Sequence, residues 1–161
     1  MNKTTASYIE KLKGKKIFVD FDGTLCEYRY NGHVYGDEDL YGQTRAELLF
    51  DDPFFRARPL ETTKAFLNNF DFNNIYILGG ILTKQEIDQK MKWFKINYPK
   101  LKEENVFFIT EPIKKYEVLQ EFCKRTGTKP KDVALIDDTL ENLRQAEKVG
   151  FFALHITSLV D

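Results

Sequence analysis

The chain has 161 residues, 42% of them hydrophobic and 30% charged, with a net charge of -1. That length fits one domain with a sizeable core, and the balanced charge gives no support for general nucleic-acid or membrane affinity. No apolar run approaches the roughly 20 residues that span a bilayer, residues 1–10 hold no apolar stretch of the signal-peptide kind, and two distant cysteines, Cys26 and Cys123, are expected as reduced thiols of a cytoplasmic protein.

Residues 4–13 carry Tyr8, Ile9 and Leu12 among lysines and predict a short leading helix ending at Gly14. A first strand is expected over about Lys16–Phe21, because Ile17-Phe18-Val19 is a continuous apolar run of the kind buried strands show. It runs into Asp20-Phe21-Asp22-Gly23-Thr24-Leu25, where Gly23 permits a sharp exit. Residues 26–57 break the rhythm with Tyr28, Tyr30, Tyr35, Tyr41, three glycines and the acidic run Asp37-Glu38-Asp39, and read as a small insertion with one helix near Gln43–Phe50. Pro59 suits a first helical turn, and Leu60, Thr63, Phe66 and Leu67 form a stripe ending near Phe70. Asn74–Leu78 is a second strand closed by Gly79-Gly80.

Thr83 with Glu86 three residues on is a capping-box pattern, opening a helix with Ile87, Met91, Phe94 and Tyr98 inward and Pro99 as its stop. A third strand is expected at Val106–Thr110, then a helix opened by Pro112 and closed by Gly127. A fourth strand at Asp132–Asp137 leads to a helix capped by Asp138 or Thr139 and ending at Gly150, and Phe151–Ile156 is the last strand. Alternating strands and helices predict a doubly wound three-layer α/β/α sandwich with a mostly parallel sheet, spanning residues 1–161 as one domain with 26–57 as a cap-like insertion.

Two strands end in paired carboxylates, Asp20 with Asp22 and Asp137 with Asp138. Parallel strands share one carboxyl edge, where open α/β sheets bind ligands, so the four acidic groups are expected to converge there. Asp is also a common turn and cap residue, but a cap needs only one of Asp137 and Asp138. Four carboxylates together disfavour full ionisation without a counter-ion, and a hard divalent cation with oxygen ligands, Mg²⁺, satisfies them. Lys115 shares a stripe with Val118, Leu119 and Phe122, so its ammonium is expected to point inward beside a helix N-terminus, suited to an anionic substrate and the carboxylates. Lys114, in the same first turn, is the second candidate for that role, with a tolerated surface lysine as its alternative reading.

These residues resemble the haloacid dehalogenase superfamily of phosphotransferases. Asp20-Phe21-Asp22-Gly23-Thr24-Leu25 is similar to its first motif, Lys115 to the lysine of the third and Asp137-Asp138 to the acidic fourth; the likeness runs from about Lys16 to Ile156, with 26–57 matching poorly. The spacing from Ile75 through Pro99 is similar to that of small nucleotidase-like members. The resemblance implies a Mg²⁺-dependent phosphatase acting on a small phosphorylated metabolite, with nucleotides among the candidates. Asp20 would be the nucleophile, Asp22 the general acid and then base, and Lys115 the charge partner of nucleophile and phosphoryl group. Mg²⁺ would be held by Asp20, the backbone carbonyl of Asp22 and Asp137, with Asp138 in support.

The family's second motif has a Ser or Thr at the end of the second strand, where this chain has Gly79 followed by Gly80. Their N–H groups are candidates for phosphate binding, with Thr83 the nearest hydroxyl. That departure keeps a second expectation open, a weak or inactive member that binds phosphate or a protein partner. A nucleic-acid end phosphatase, which needs a basic channel, is disfavoured by the charge balance. In the insertion, Arg29, Arg45, Arg56 and Arg58 are candidates to face a phosphorylated ligand and the tyrosines to stack on a base or sugar; His33 reads as a surface residue, and Cys26 has no base beside it.

Overall fold

The computed structural model describes residues 3–27, 29–30, 33–34, 54 and 57–159. The chain order is α1 (Lys3–Leu12), β1 (Lys16–Val19), β2 (Arg29–Tyr30), β3 (His33–Val34), α2 (Glu61–Leu67), β4 (Ile75–Gly80), α3 (Lys84–Asn97), β5 (Val106–Ile109), α4 (Lys115–Thr126), β6 (Val133–Asp137), α5 (Leu140–Lys148) and β7 (Phe152–His155). The predicted helix at Gln43–Phe50, the acidic run 37–39, Tyr28, Tyr35, Tyr41, Arg45 and Arg56 lie outside the described residues. Arg29, Tyr30 and His33 belong to a two-stranded antiparallel ribbon of which only the backbone is described.

Five strands form an all-parallel sheet in the order β5-β4-β1-β6-β7. The apolar runs explain it, since strands covered on both faces need hydrophobic side chains on both. Ile17, Val19, Ile75, Ile77, Ala134 and Ile136 pack on one face with residues of α1, α2 and α3, among them Leu12, Phe66 and Phe94. Phe18, Leu78, Val133 and Leu135 pack on the other with Leu119 and Phe122 of α4 and Leu143 and Ala146 of α5. The result is the expected three-layer α/β/α sandwich.

From β1 the chain builds outward through β4 to β5, then returns to add β6 and β7 on the far side of β1. The direction of winding therefore reverses between β1 and β6, the place where such sheets form a ligand crevice. Asp20 follows β1 there and Asp137 ends β6, with the Asp20 N–H donating to the Ile136 carbonyl at 2.9 Å.

Several boundaries differ from the sequence expectation. Pro59 does not start α2; it bridges to Cys26, and Leu60 is the N-cap. Gly79 and Gly80 lie within β4 rather than beyond it. Pro112 sits in a turn ahead of α4, whose N-cap is Lys114. Of the face expected inward on α3, Phe94 and Tyr98 at its end are buried while Ile87 and Met91 are only partly so; the buried stripe shifts to Glu86, Gln89, Lys90 and Trp93. Its predicted Thr83 cap is present, with Oγ1 accepting the Glu86 N–H at 3.3 Å. Among the described residues no helix is long and apolar enough to cross a membrane.

Candidate active site

β1 ends in a tight loop. The N–H groups of Leu25 and Cys26 both donate to the Phe21 carbonyl, and Gly23 takes φ 69, a left-handed value that suits glycine. Side chains from elsewhere fasten this loop: Thr63 Oγ1 donates to the Thr24 carbonyl at 2.7 Å and the Tyr98 hydroxyl to the Leu25 carbonyl at 3.0 Å. The loop thus holds Asp20 and Asp22 on a braced support. Both line a cavity of about 370 Å³ with Gly80, Lys115, Thr110, Thr139 and Asn142, and its apolar side includes Ile81, Leu82 and Ile113.

Lys115, the first residue of α4, is buried and bridges two strand ends. Its Nζ lies 2.5 Å from Asp20 Oδ1 and 2.7 Å from Asp137 Oδ2. The inward stripe predicted for it is realised through Leu119 and Phe122, which are buried beneath it. Burial alone would lower the pKa of this ammonium, but Asp20 and Asp137 outweigh that and hold it above the ordinary value. Lys114 is half-buried, pairs with Glu111 at 3.1 Å and also lines the cavity.

Asp20 meets Lys115 and the Phe21 N–H through the same oxygen, Oδ1. Oδ2 has no partner among the described residues. Burial, with Asp137 and Asp22 adding to it and Lys115 opposing, pushes the Asp20 carboxyl up to about 7. Asp137 is fully buried; its Oδ1 accepts the Thr139 N–H at 2.8 Å, and Asn142 Nδ2 lies 3.2 Å from each of its oxygens. Thr139 is the N-cap of α5 but makes no side-chain cap; Asp137 accepts the N–H of Thr139 itself and so fixes the entry to the helix. The Asp138 carbonyl meets His155 Nε2 at 2.8 Å, which ties β7 to the same loop.

Three of the four predicted carboxylates converge. Asp20, Asp137 and Asp138 each present an oxygen within 4.8 Å of the others. This is a hard, anionic donor set of the kind Mg²⁺ takes. The Asp22 side chain does not join this group. It turns to the opposite wall, where its Oδ2 lies 2.6 Å from Lys90 Nζ. The expected convergence of four carboxylates is thus one of three, with the Asp22 carboxylate in an ion pair; the expectation for Asp22 as a ligand concerned its backbone carbonyl.

Lys90 and Glu86 were not legible as site residues. Lys90 is 0% exposed, and its ammonium meets Asp22 Oδ2, the Gly80 carbonyl at 2.6 Å and Glu86 Oε1 at 3.0 Å. Burial works against the charge, but Asp22 and Glu86 raise its pKa above the ordinary value. The available signal was that Glu86, Lys90, Trp93 and Asn97 share one helical stripe with an i,i+4 charge pair at its head.

The two glycines divide. A Cβ on Gly79 would lie 2.9 Å from Phe21 Cβ, so this position packs into the core and does not face the cavity. Gly80 lines the cavity, and a Cβ there meets nothing within 4 Å. Of the two glycines expected at the phosphate site, Gly80 lines the cavity and Gly79 does not, because successive residues of a strand face opposite sides. Thr83 is engaged in its cap, while Thr110 and Thr139 bring the nearest hydroxyl-bearing residues into the cavity wall. Arg58 is exposed and meets Glu27 through its backbone. Cys26 is fully buried, and burial, with Asp22 adding to it, pushes its thiol well above the ordinary value. No family model matches the chain, and no curated protein matches it.

Proposed function

We propose that this chain is a Mg²⁺-dependent phosphomonoester hydrolase of the haloacid dehalogenase type, working through an aspartyl-phosphate on Asp20. The observation that supports it most is the Lys115 bridge between Asp20 and Asp137 at the winding reversal of the sheet, opening on a cavity that also holds Asp22. A structural ion pair needs one carboxylate and no cavity. Here a buried ammonium, clustered carboxylates and an Asp20 Oδ2 without a partner among the described residues share one opening.

In this reading Asp20 Oδ2 attacks phosphorus while Oδ1 stays on Lys115 and the Phe21 N–H. The phosphorus–oxygen bond to the leaving group breaks, and a proton on the Asp22 carboxyl passes to that oxygen. Water then attacks the aspartyl-phosphate, Asp22 accepts its proton, and inorganic phosphate leaves with Asp20 regenerated. Lys115 and the N–H groups of the β1 loop act by positioning and by opposing negative charge, the main demands of phosphoryl transfer. Asp20, Asp137 and Asp138 would hold Mg²⁺, which supplies positive charge beside the transferring phosphoryl oxygens. Asn142 and the Thr139 N–H keep Asp137 oriented in either case.

The cavity size and its apolar side, Ile81, Leu82 and Ile113, suit a small phosphomonoester whose leaving group carries apolar surface. A second reading, a weak or inactive phosphate binder, is favoured by one observation: β4 presents Gly80 to the cavity and so no hydroxyl. Turnover of p-nitrophenyl phosphate with Mg²⁺, with EDTA and in Asp20→Asn separates the two readings.

A further inference from the structure

Lys90 is a buried charge that the reaction above does not use. Its ammonium is enclosed by rings, with centroids of Phe21 at 5.1 Å, Phe54 at 5.3 Å and Phe108 at 6.0 Å. Three acceptors, Asp22 Oδ2, the Gly80 carbonyl and Glu86 Oε1, match its three donors. Glu86 is 1% exposed and is fixed in turn by the Leu82 N–H, which donates to Oε2 at 2.9 Å. Buried charges of this kind cost desolvation that apolar residues of similar size avoid. Stability alone therefore gives α3 little reason to carry them.

We infer that Lys90, backed by Glu86, is a positioning residue that fixes the Asp22 carboxyl toward the leaving group. The inference rests on the phosphatase reading and extends it. Lys90 is fully buried, so it acts on a substrate through the partners that line the cavity, and of these Asp22 is the one that presents a carboxyl group there. By gripping Oδ2 it sets the rotation of the carboxyl group and directs Oδ1 to the cavity side. Glu86 balances one positive charge and anchors the lysine to the β4–α3 loop, so the grip does not depend on substrate. The contacts described for Lys90 run to Asp22, Gly80, Glu86 and the surrounding rings.

Leaving-group dependence tests this. Nitrophenolate departs with little need of a proton, whereas phenolate departs poorly without one. With the full chain and Mg²⁺, Lys90→Met is expected to lower kcat on phenyl phosphate about 10²-fold and on p-nitrophenyl phosphate less than about fivefold. Asp22→Asn should show the same selective loss, and adding Lys90→Met to it should cost nothing more, because the two act as one unit. Lys90→Arg should recover part of the phenyl phosphate rate. Should Lys90→Met fold poorly, Glu86→Leu/Lys90→Met removes the buried pair together and should melt near the parent with the same selective loss. Equal losses on both substrates in folded variants would overturn the positioning role and leave the phosphatase reading standing. No turnover by the parent chain on either substrate would overturn both.

Discussion

Lys115 Nζ lies 2.5 Å from Asp20 Oδ1, with both side chains 8% exposed. The same ammonium reaches Asp137 at 2.7 Å, so it is shared by the ends of two adjacent strands. Removing it leaves two buried carboxylates facing each other. Lys115→Met is expected to destabilise the chain by about 3–5 kcal/mol at neutral pH without metal, the usual cost of an uncompensated buried charge. Chemical denaturation with and without Mg²⁺ checks this: the cation should return part of the loss, and a variant as stable as its parent would contradict the bridge.

The Asp20 carboxyl gives a pH dependence of definite sign. Its ordinary value is 3.8 and the fold raises it to about 7, so between those values the folded chain holds a proton that the unfolded chain has released. Stability from this group is therefore fully present below the ordinary value and is lost as pH rises through about 7. A cation displaces that proton, so the stabilisation by Mg²⁺ should be larger at about pH 8 than at about pH 5. Thermal melts across this range, with Asp20→Asn as the non-titrating control, are the measurement. The control should lose most of the metal-free trend.

Gly79 and Gly80 make opposite predictions from adjacent positions. Gly79→Ser forces a Cβ to 2.9 Å from Phe21 and 3.4 Å from Phe108, and should cost about 1–3 kcal/mol as an overpacked core. Gly80→Ser enters open space. It should leave the melting temperature close to the parent and add a hydroxyl donor to the cavity wall, raising kcat on p-nitrophenyl phosphate by about tenfold or more if that donor acts on the phosphoryl group. The reverse order of stabilities would mean that β4 presents the other face to the site.

Cys26 reports on the loop that carries Asp20 and Asp22. It is 0% exposed, and burial pushes its thiol well above the ordinary value. Native protein near neutral pH should therefore leave Cys26 unlabelled by a thiol reagent, with full labelling only in denaturant. Rapid labelling of the native chain at Cys26, read by peptide mass, would show that the loop opens.

The sequence was most legible where a chemical group ends a regular element. Asp20 and Asp137 follow apolar runs that had to be buried strands, and Lys115 sits on a stripe continued by Leu119 and Phe122. Their convergence follows from parallel winding alone. Lys90 and Glu86 were hidden because charges four apart on a helix ordinarily mark a solvated face. The partner that draws them inward, Asp22, comes from a distant part of the chain, which no local pattern reports. The glycine pair was read as a unit closing the strand, whereas β4 runs two residues further than its apolar run suggested and alternation then separates the two, Gly80 lining the cavity and Gly79 packing inward. Pro112 misled for a related reason: a proline suits a first helical turn and a preceding turn alike.

The most direct measurement is hydrolysis of p-nitrophenyl phosphate by the parent chain and by Asp20→Asn, each with Mg²⁺ and with EDTA. An aspartyl-phosphate mechanism predicts turnover that requires Mg²⁺ and falls by at least about 10³-fold in Asp20→Asn, because the nucleophile is gone while the fold and the cavity remain. Turnover that is unchanged in Asp20→Asn, or absent from the folded parent with Mg²⁺ present, would contradict it.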